Sequence, residues 1–170
     1  EIWFKAQAPI PANGRDGSYY IYYGNPYAGS PPADPAEVYL LWDDFNGSTL
    51  DSRWNVTTGS VSVSGGQAHL PANTNMIDTT PYTYAALEAR LRLGGDNNYV
   101  WWGWEEIPSN AANMIIFEES SAGFEAWTRN DNATISQLPI SDPPGGLTAW
   151  HTYVTDWWQG HARWLIDGAE

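Results

Sequence analysis

The 170-residue chain sets twenty Asp plus Glu against seven Lys plus Arg, a net charge of −13, and contains no cysteine. Such a charge repels phosphate backbones and anionic bilayers, so nucleic acid is set aside as a partner, and the absence of thiols excludes disulfide frameworks and thiolate metal sites. No run of about eighteen apolar residues offers a membrane span. Eleven Trp and ten Tyr exceed ordinary usage; they can fill a core, or stand outside it as flat platforms for the C–H faces of sugar rings.

Residues 1–36 read as a separate N-terminal strand segment and linker. Ile2-Trp3-Phe4-Lys5-Ala6 and Ser18-Tyr19-Tyr20-Ile21-Tyr22-Tyr23 are strand candidates around a Pro/Asn/Gly turn region, and the Pro-rich stretch 30–35 cannot supply regular ladder donors. The Tyr-Tyr-Gly-Asn-Pro run at 22–26, with Ile2-Trp3-Phe4-Lys5 before it, resembles the closing strands of a domain of unknown function found upstream of sandwich modules in secreted proteins. That resemblance implies that 1–36 is the tail of an upstream domain and that 37–170 is the sandwich.

From Val38 onward every signal is β. Strands are expected at 38–45, as a hairpin at 61–64 and 67–70 around Gly65-Gly66, and at 84–93, where Leu87, Ala89, Leu91 and Leu93 share one face and Glu88, Arg90 and Arg92 the other. Others follow at 99–105, 113–118, 123–129 and 134–138, and a last hairpin turns at Gln159-Gly160 and ends in Asp167-Gly168. Short strands with turn signals every eight to twelve residues or so predict an all-β, two-sheet antiparallel sandwich or jelly roll.

Asp43-Asp44-Phe45-Asn46-Gly47 followed by Leu50-Asp51-Ser52-Arg53-Trp54 resembles the opening of laminarinase-like members of the concanavalin A-like lectin and glucanase superfamily. Leu87-Glu88-Ala89-Arg90-Leu91-Arg92-Leu93 is similar to an internal strand of that family, and Trp150-His151-Thr152-Tyr153 through Asp167-Gly168 to its late hairpin. The family ordinarily continues past this Asp-Gly turn, so the resemblance implies a sandwich incomplete at its C-terminus or completed by another chain.

Glucanases of this superfamily carry their carboxylates on one strand as E-I-D-I-x-E. Aligned on residues 113–119, Asn113 stands at the nucleophile position and Ile115 at the assisting Asp, leaving Glu118 as the one carboxylate. One carboxylate cannot serve as both nucleophile and acid/base, so the chain is expected not to be an enzyme; glycoside hydrolase would be the class otherwise. Glu125, on the next strand, could approach Glu118 across a hairpin. His69, His151 and His161 lack metal-ligand spacing.

Alternation along Tyr99-Val100-Trp101-Trp102-Gly103-Trp104 separates Tyr99 and Trp101 from Trp102 and Trp104, without deciding which pair faces the core. The expected ligand-binding set is Trp102, Trp104, Trp127 and Trp157 with Glu88, Arg90, Arg92 and Arg129. No cofactor is required; the family resemblance admits one structural calcium ion, with Asp43, Asp44 and Asp167 as oxygen donors. The functional expectation is a non-catalytic carbohydrate-binding module, secreted or at the cell surface, with a polysaccharide or glycan as partner. The alternatives are a structural or assembly subunit that self-associates by strand addition, and a divergent glycoside hydrolase.

Overall fold

The computed structural model describes residues 4–11, 13–30, 34–94, 99–106, 113–131 and 133–170. The chain divides into two compact units, Glu1–Ser52 with Val61–Leu70, and Arg53–Ser60 with Pro71–Glu170. Among the described residues the regular structure is all β apart from one 3-10 turn. The strands are β1 (Trp54–Thr58), β2 (Ser62–Ser64), β3 (Gln67–His69), β4 (Asn75–Asp78), β5 (Ala86–Leu91), β6 (Val100–Glu105), β7 (Met114–Ser120), β8 (Gly123–Asn130), β9 (Ala133–Pro139), β10 (His151–Trp158) and β11 (His161–Ile166).

Local polar turns shape the backbone of the first unit. Asp34 caps the 3-10 turn Pro35–Glu37 by accepting from the Ala36 amide at 2.9 Å. Asp43 accepts from the Phe45 amide at 2.8 Å, and Asp44 from the Asn46 amide at 3.1 Å, the Asx arrangement that short acidic side chains favour over a ladder. These turns replace the strand expected over 38–45. β2 and β3 form the expected hairpin, and Gly65 and Gly66 both take the positive φ (58° and 73°) that its tight turn needs. The strand expected over 18–23 joins no ladder among the described residues; Tyr20, Ile21, Tyr22 and Tyr23 stand in solvent, Tyr23 at 94% exposure. Of the strand expected over 2–6, Ile2 and Trp3 lie outside the described residues, and Phe4, Lys5 and Ala6 are not in a strand.

In the second unit, β6-β7-β8-β9 form a four-stranded antiparallel sheet and β11-β10-β5 a three-stranded one. β1 and β4 pair separately, as a short two-stranded ladder with an irregular register between Val56 and Thr58. The two larger sheets pack as a sandwich. Phe117 (0% exposed) and Phe124 from one sheet meet Tyr153 (1%) from the other. Trp102 lies stacked over Phe117 at 5.5 Å between ring centroids and edge-on to Tyr153 at 5.0 Å, the offset and T-shaped arrangements that aromatic quadrupoles prefer. Two indoles also tie the sheets polarly: Trp164 Nε1 donates to the Ile116 carbonyl at 3.0 Å and Trp104 Nε1 to the Thr155 carbonyl at 3.2 Å.

One charged pair fixes the end of the three-stranded sheet. Buried His151 places Nδ1 2.7 Å from Asp167 Oδ2 and Nε2 3.1 Å from the Gly146 carbonyl. Both ring nitrogens therefore face acceptors, which suits the doubly protonated imidazolium. Asp167 Oδ1 also accepts from the Thr152 amide at 2.9 Å, so the turn after β11 is bound back onto β10. The hydrogen bond to Asp167 raises the His151 pKa, and the hydrogen bond from His151 lowers that of Asp167.

Phe117→Ala should cost about 3–5 kcal/mol of stability in urea denaturation, because the closed aromatic cluster cannot collapse into the cavity. The His151–Asp167 pair contributes above the ordinary carboxylate value of 3.8 and below the ordinary imidazole value of 6.5. That contribution is lost as pH falls through the lowered Asp167 pKa, and separately as it rises through the raised His151 pKa. The melting-temperature gap between the native chain and Asp167→Asn should accordingly be widest near about pH 5 and narrow on both sides.

Candidate functional site

The second unit carries a cleft of about 410 Å³ on the face of the four-stranded sheet that points away from the aromatic core. Its position follows from alternation. In antiparallel register Trp101 lies opposite Glu118 and Glu118 opposite Glu125, while Ile116 lies opposite Trp127 and Trp127 opposite Gln137. Directly opposed residues share a face. Burying Phe117 on one side thus sends Glu118 to the other.

Along β8 the residues two apart on the cleft side are Glu125, Trp127 and Arg129. Glu125 Oε2 accepts from Trp127 Nε1 at 3.0 Å and from Gln137 Nε2 at 2.9 Å. The Arg129 guanidinium lies over the Trp127 ring, 5.5 Å from its centroid. This row fixes the indole edge through one hydrogen bond and one ring face through a cation. Tyr99 and Trp101 supply further aromatic wall from the β6 side, Tyr99 largely exposed and Trp101 about half so.

Glu118 and Glu125 are 6% and 9% exposed. Burial pushes the Glu118 carboxyl above its usual range and the Glu125 charge adds to the rise, while Arg129 and a hydrogen bond from Ser120 oppose it. β6 approaches closely enough to complete the wall because residue 103 is glycine. A Cβ on Gly103, whose φ is 144°, would collide with the Ile115 carbonyl oxygen and lie 2.8 Å from Ile116 Cα.

The eight residues expected to bind ligand do not form one surface. Trp127 and Arg129 line the cleft. Trp102, Trp104 and Trp157 face the interior, Trp104 packing 6.1 Å from Trp157 and 5.7 Å from Tyr82. β6 is aromatic on both faces, so its own pattern could not choose; β7 and β8 choose, because Phe117 and Phe124 need Trp102 beside them. Glu88, Arg90 and Arg92 lie on the outer face of the three-stranded sheet, where Arg90 and Arg92 sit 5.2 and 5.3 Å from the Trp150 ring centroid.

Of the three positions aligned with the glucanase strand, Glu118 lines the cleft and Asn113 and Ile115 do not. Asn113 precedes β7 and bonds Glu106 and the Asp131 amide, and Ile115 points with Phe117 toward the core. The cleft side of β7 carries Met114, Ile116, Glu118 and Ser120, with no bulge in its register. Glu125, Trp101 and Gln137 were absent from the expected binding set. The i, i+2, i+4 spacing of Glu125, Trp127 and Arg129 was the available signal for Glu125, whereas Gln137 enters only through the β8–β9 register.

Of the expected calcium donors, Asp43 and Asp44 close turns in the first unit and Asp167 holds His151 in the second. Among the described residues no group of three or more His, Cys, Asp or Glu side chains is placed to hold a metal ion.

Residues 1–57 match the family model of a domain of unknown function, DUF2341. The match spans about a third of the 170 residues, covering the N-terminal part of the first unit and ending inside β1. No curated protein and no solved structure matches the chain.

Proposed function

We propose that the second unit is a carbohydrate-binding β-sandwich of the concanavalin A-like kind, working without catalysis as a module of a secreted or cell-surface protein. The observation that carries this reading is the Glu125–Trp127–Arg129 row with Gln137 bonded to Glu125. A flat indole held rigid at its edge presents area to a sugar ring, and the flanking carboxylate, amide and guanidinium order hydroxyls around it. Rigidity matters because little side-chain entropy is then lost on binding. The cleft side of β7 carries Met114 and Ile116 beside Glu118, so that strand supplies one carboxylate to the cleft.

The assembly reading keeps one observation of its own: Tyr20, Ile21, Tyr22, Tyr23 and Tyr27 form an exposed, uncharged run in the first unit. Such a run lacks the charged side chains that ordinarily keep exposed strands from pairing. Light scattering across a concentration series distinguishes the readings, since a constant monomer mass removes self-assembly.

Trp127→Ala should weaken binding to the best ligand of a polysaccharide panel by about tenfold or more, the loss typical of a buried aromatic anchor. Trp150→Ala, on the outer face of the other sheet, should leave it unchanged. Isothermal titration measures both; equal loss in the two variants, or binding to no glycan at millimolar concentration, would sink the proposal.

A further inference from the structure

We propose that the cleft recognises a sugar carrying a positively charged amine, an amino sugar or a polymer of one, in preference to neutral or anionic sugars. This rests on the glycan-binding reading above and assigns its ligand class.

The argument starts from register. Glu118 and Glu125 are directly opposed on neighbouring strands and both are buried. Cβ atoms of such pairs stand about 4.5–5.5 Å apart, where like charges destabilise a sheet. Packing alone would favour an apolar or oppositely charged partner at one of the two positions. Within the cleft lining, Arg129 is the basic side chain set against these two acids, and it is already placed over the Trp127 ring. The lining therefore holds an excess of negative charge in a chain whose net charge is −13.

Ligands differ in their response to that field. Uronates, sulfated sugars and phosphates are repelled by it. A bare calcium ion needs about six to eight oxygen donors, and no third acidic or imidazole side chain joins the pair among the described residues. An ammonium group on a pyranose ring matches both halves of the site. Its charge sits between the carboxylates, and the exposed indole of Trp101, opposite Glu118, offers a π face that also attracts cations. Burial is the first cause that raises the Glu118 pKa, and the Glu125 charge, which such a group would offset, adds to it.

The test is calorimetric titration of the whole chain with hexamers of glucosamine, N-acetylglucosamine, glucose and galacturonate at one ionic strength. Native protein is compared with Glu118→Gln, Glu125→Gln and Glu88→Gln. Glu88→Gln removes the same charge from the outer face of the other sheet, so it reports any general attraction of a cationic oligomer to an acidic protein. Circular dichroism melting confirms that each variant is folded.

The expected result is at least tenfold tighter binding of the glucosamine hexamer than of its N-acetylated counterpart. That preference should collapse in either cleft variant and persist in Glu88→Gln. Equal or tighter binding of the N-acetylated or glucose hexamer overturns the amine assignment while leaving the glycan cleft standing. A preference that falls equally in all three variants overturns it as non-specific charge attraction. Failure of every hexamer, with calcium chloride alone giving saturable heat that Glu118→Gln abolishes, overturns both this inference and the glycan reading.

Discussion

The period-two alternation of β7, pinned by Phe117, is the constraint on which the sandwich and the cleft both depend. Phe117 has no exposed surface, and its ring meets Trp102, Phe124 and Tyr153. A strand cannot move one residue without exchanging its two faces. With Phe117 committed to the interior, Glu118 is committed to the cleft, and cross-strand register carries that commitment to Trp101 and Glu125. Core packing and cleft chemistry are consecutive residues of one strand.

The same coupling explains why a polar cleft can be kept at all. Burying two acids is unfavourable unless hydrogen bonds and opposite charge offset it. Here Trp127, Gln137, Ser120 and Arg129 take those parts, and the aromatic cluster on the reverse side supplies the apolar burial that holds the sheet in place. The His151–Asp167 pair sits elsewhere, binding the last turn to β10. Its work is structural, and it leaves the cleft's electrostatics to the acids and Arg129.

Much of the β architecture was legible in the residues because alternation and turn chemistry agree. β5, with Leu87, Ala89 and Leu91 inward and Glu88 and Arg90 outward, follows its pattern residue by residue, and the β2–β3 and β10–β11 hairpins turn at the glycines that mark them. Legibility failed where local chemistry offers the backbone a rival, as at Asp43 and Asp44, or where both faces are aromatic, as on β6. A segment such as 18–23 has the composition of a strand, but composition does not provide a neighbour to pair with. The cleft was half legible. Trp127 and Arg129 followed from residue type, whereas Trp101 and Gln137 depend on which strands lie side by side, information that no single strand contains.

The row on β8 also gives the cleft a polarity. Glu125, Trp127 and Arg129 follow one another at intervals of about 6.6 Å along an extended strand, acid first, then ring, then base. The two ends of such a track are chemically unlike. Under the proposed glycan reading, a linear oligosaccharide laid along it would meet a different series of partners from its reducing end than from its non-reducing end, so one direction of threading would be favoured over its reverse.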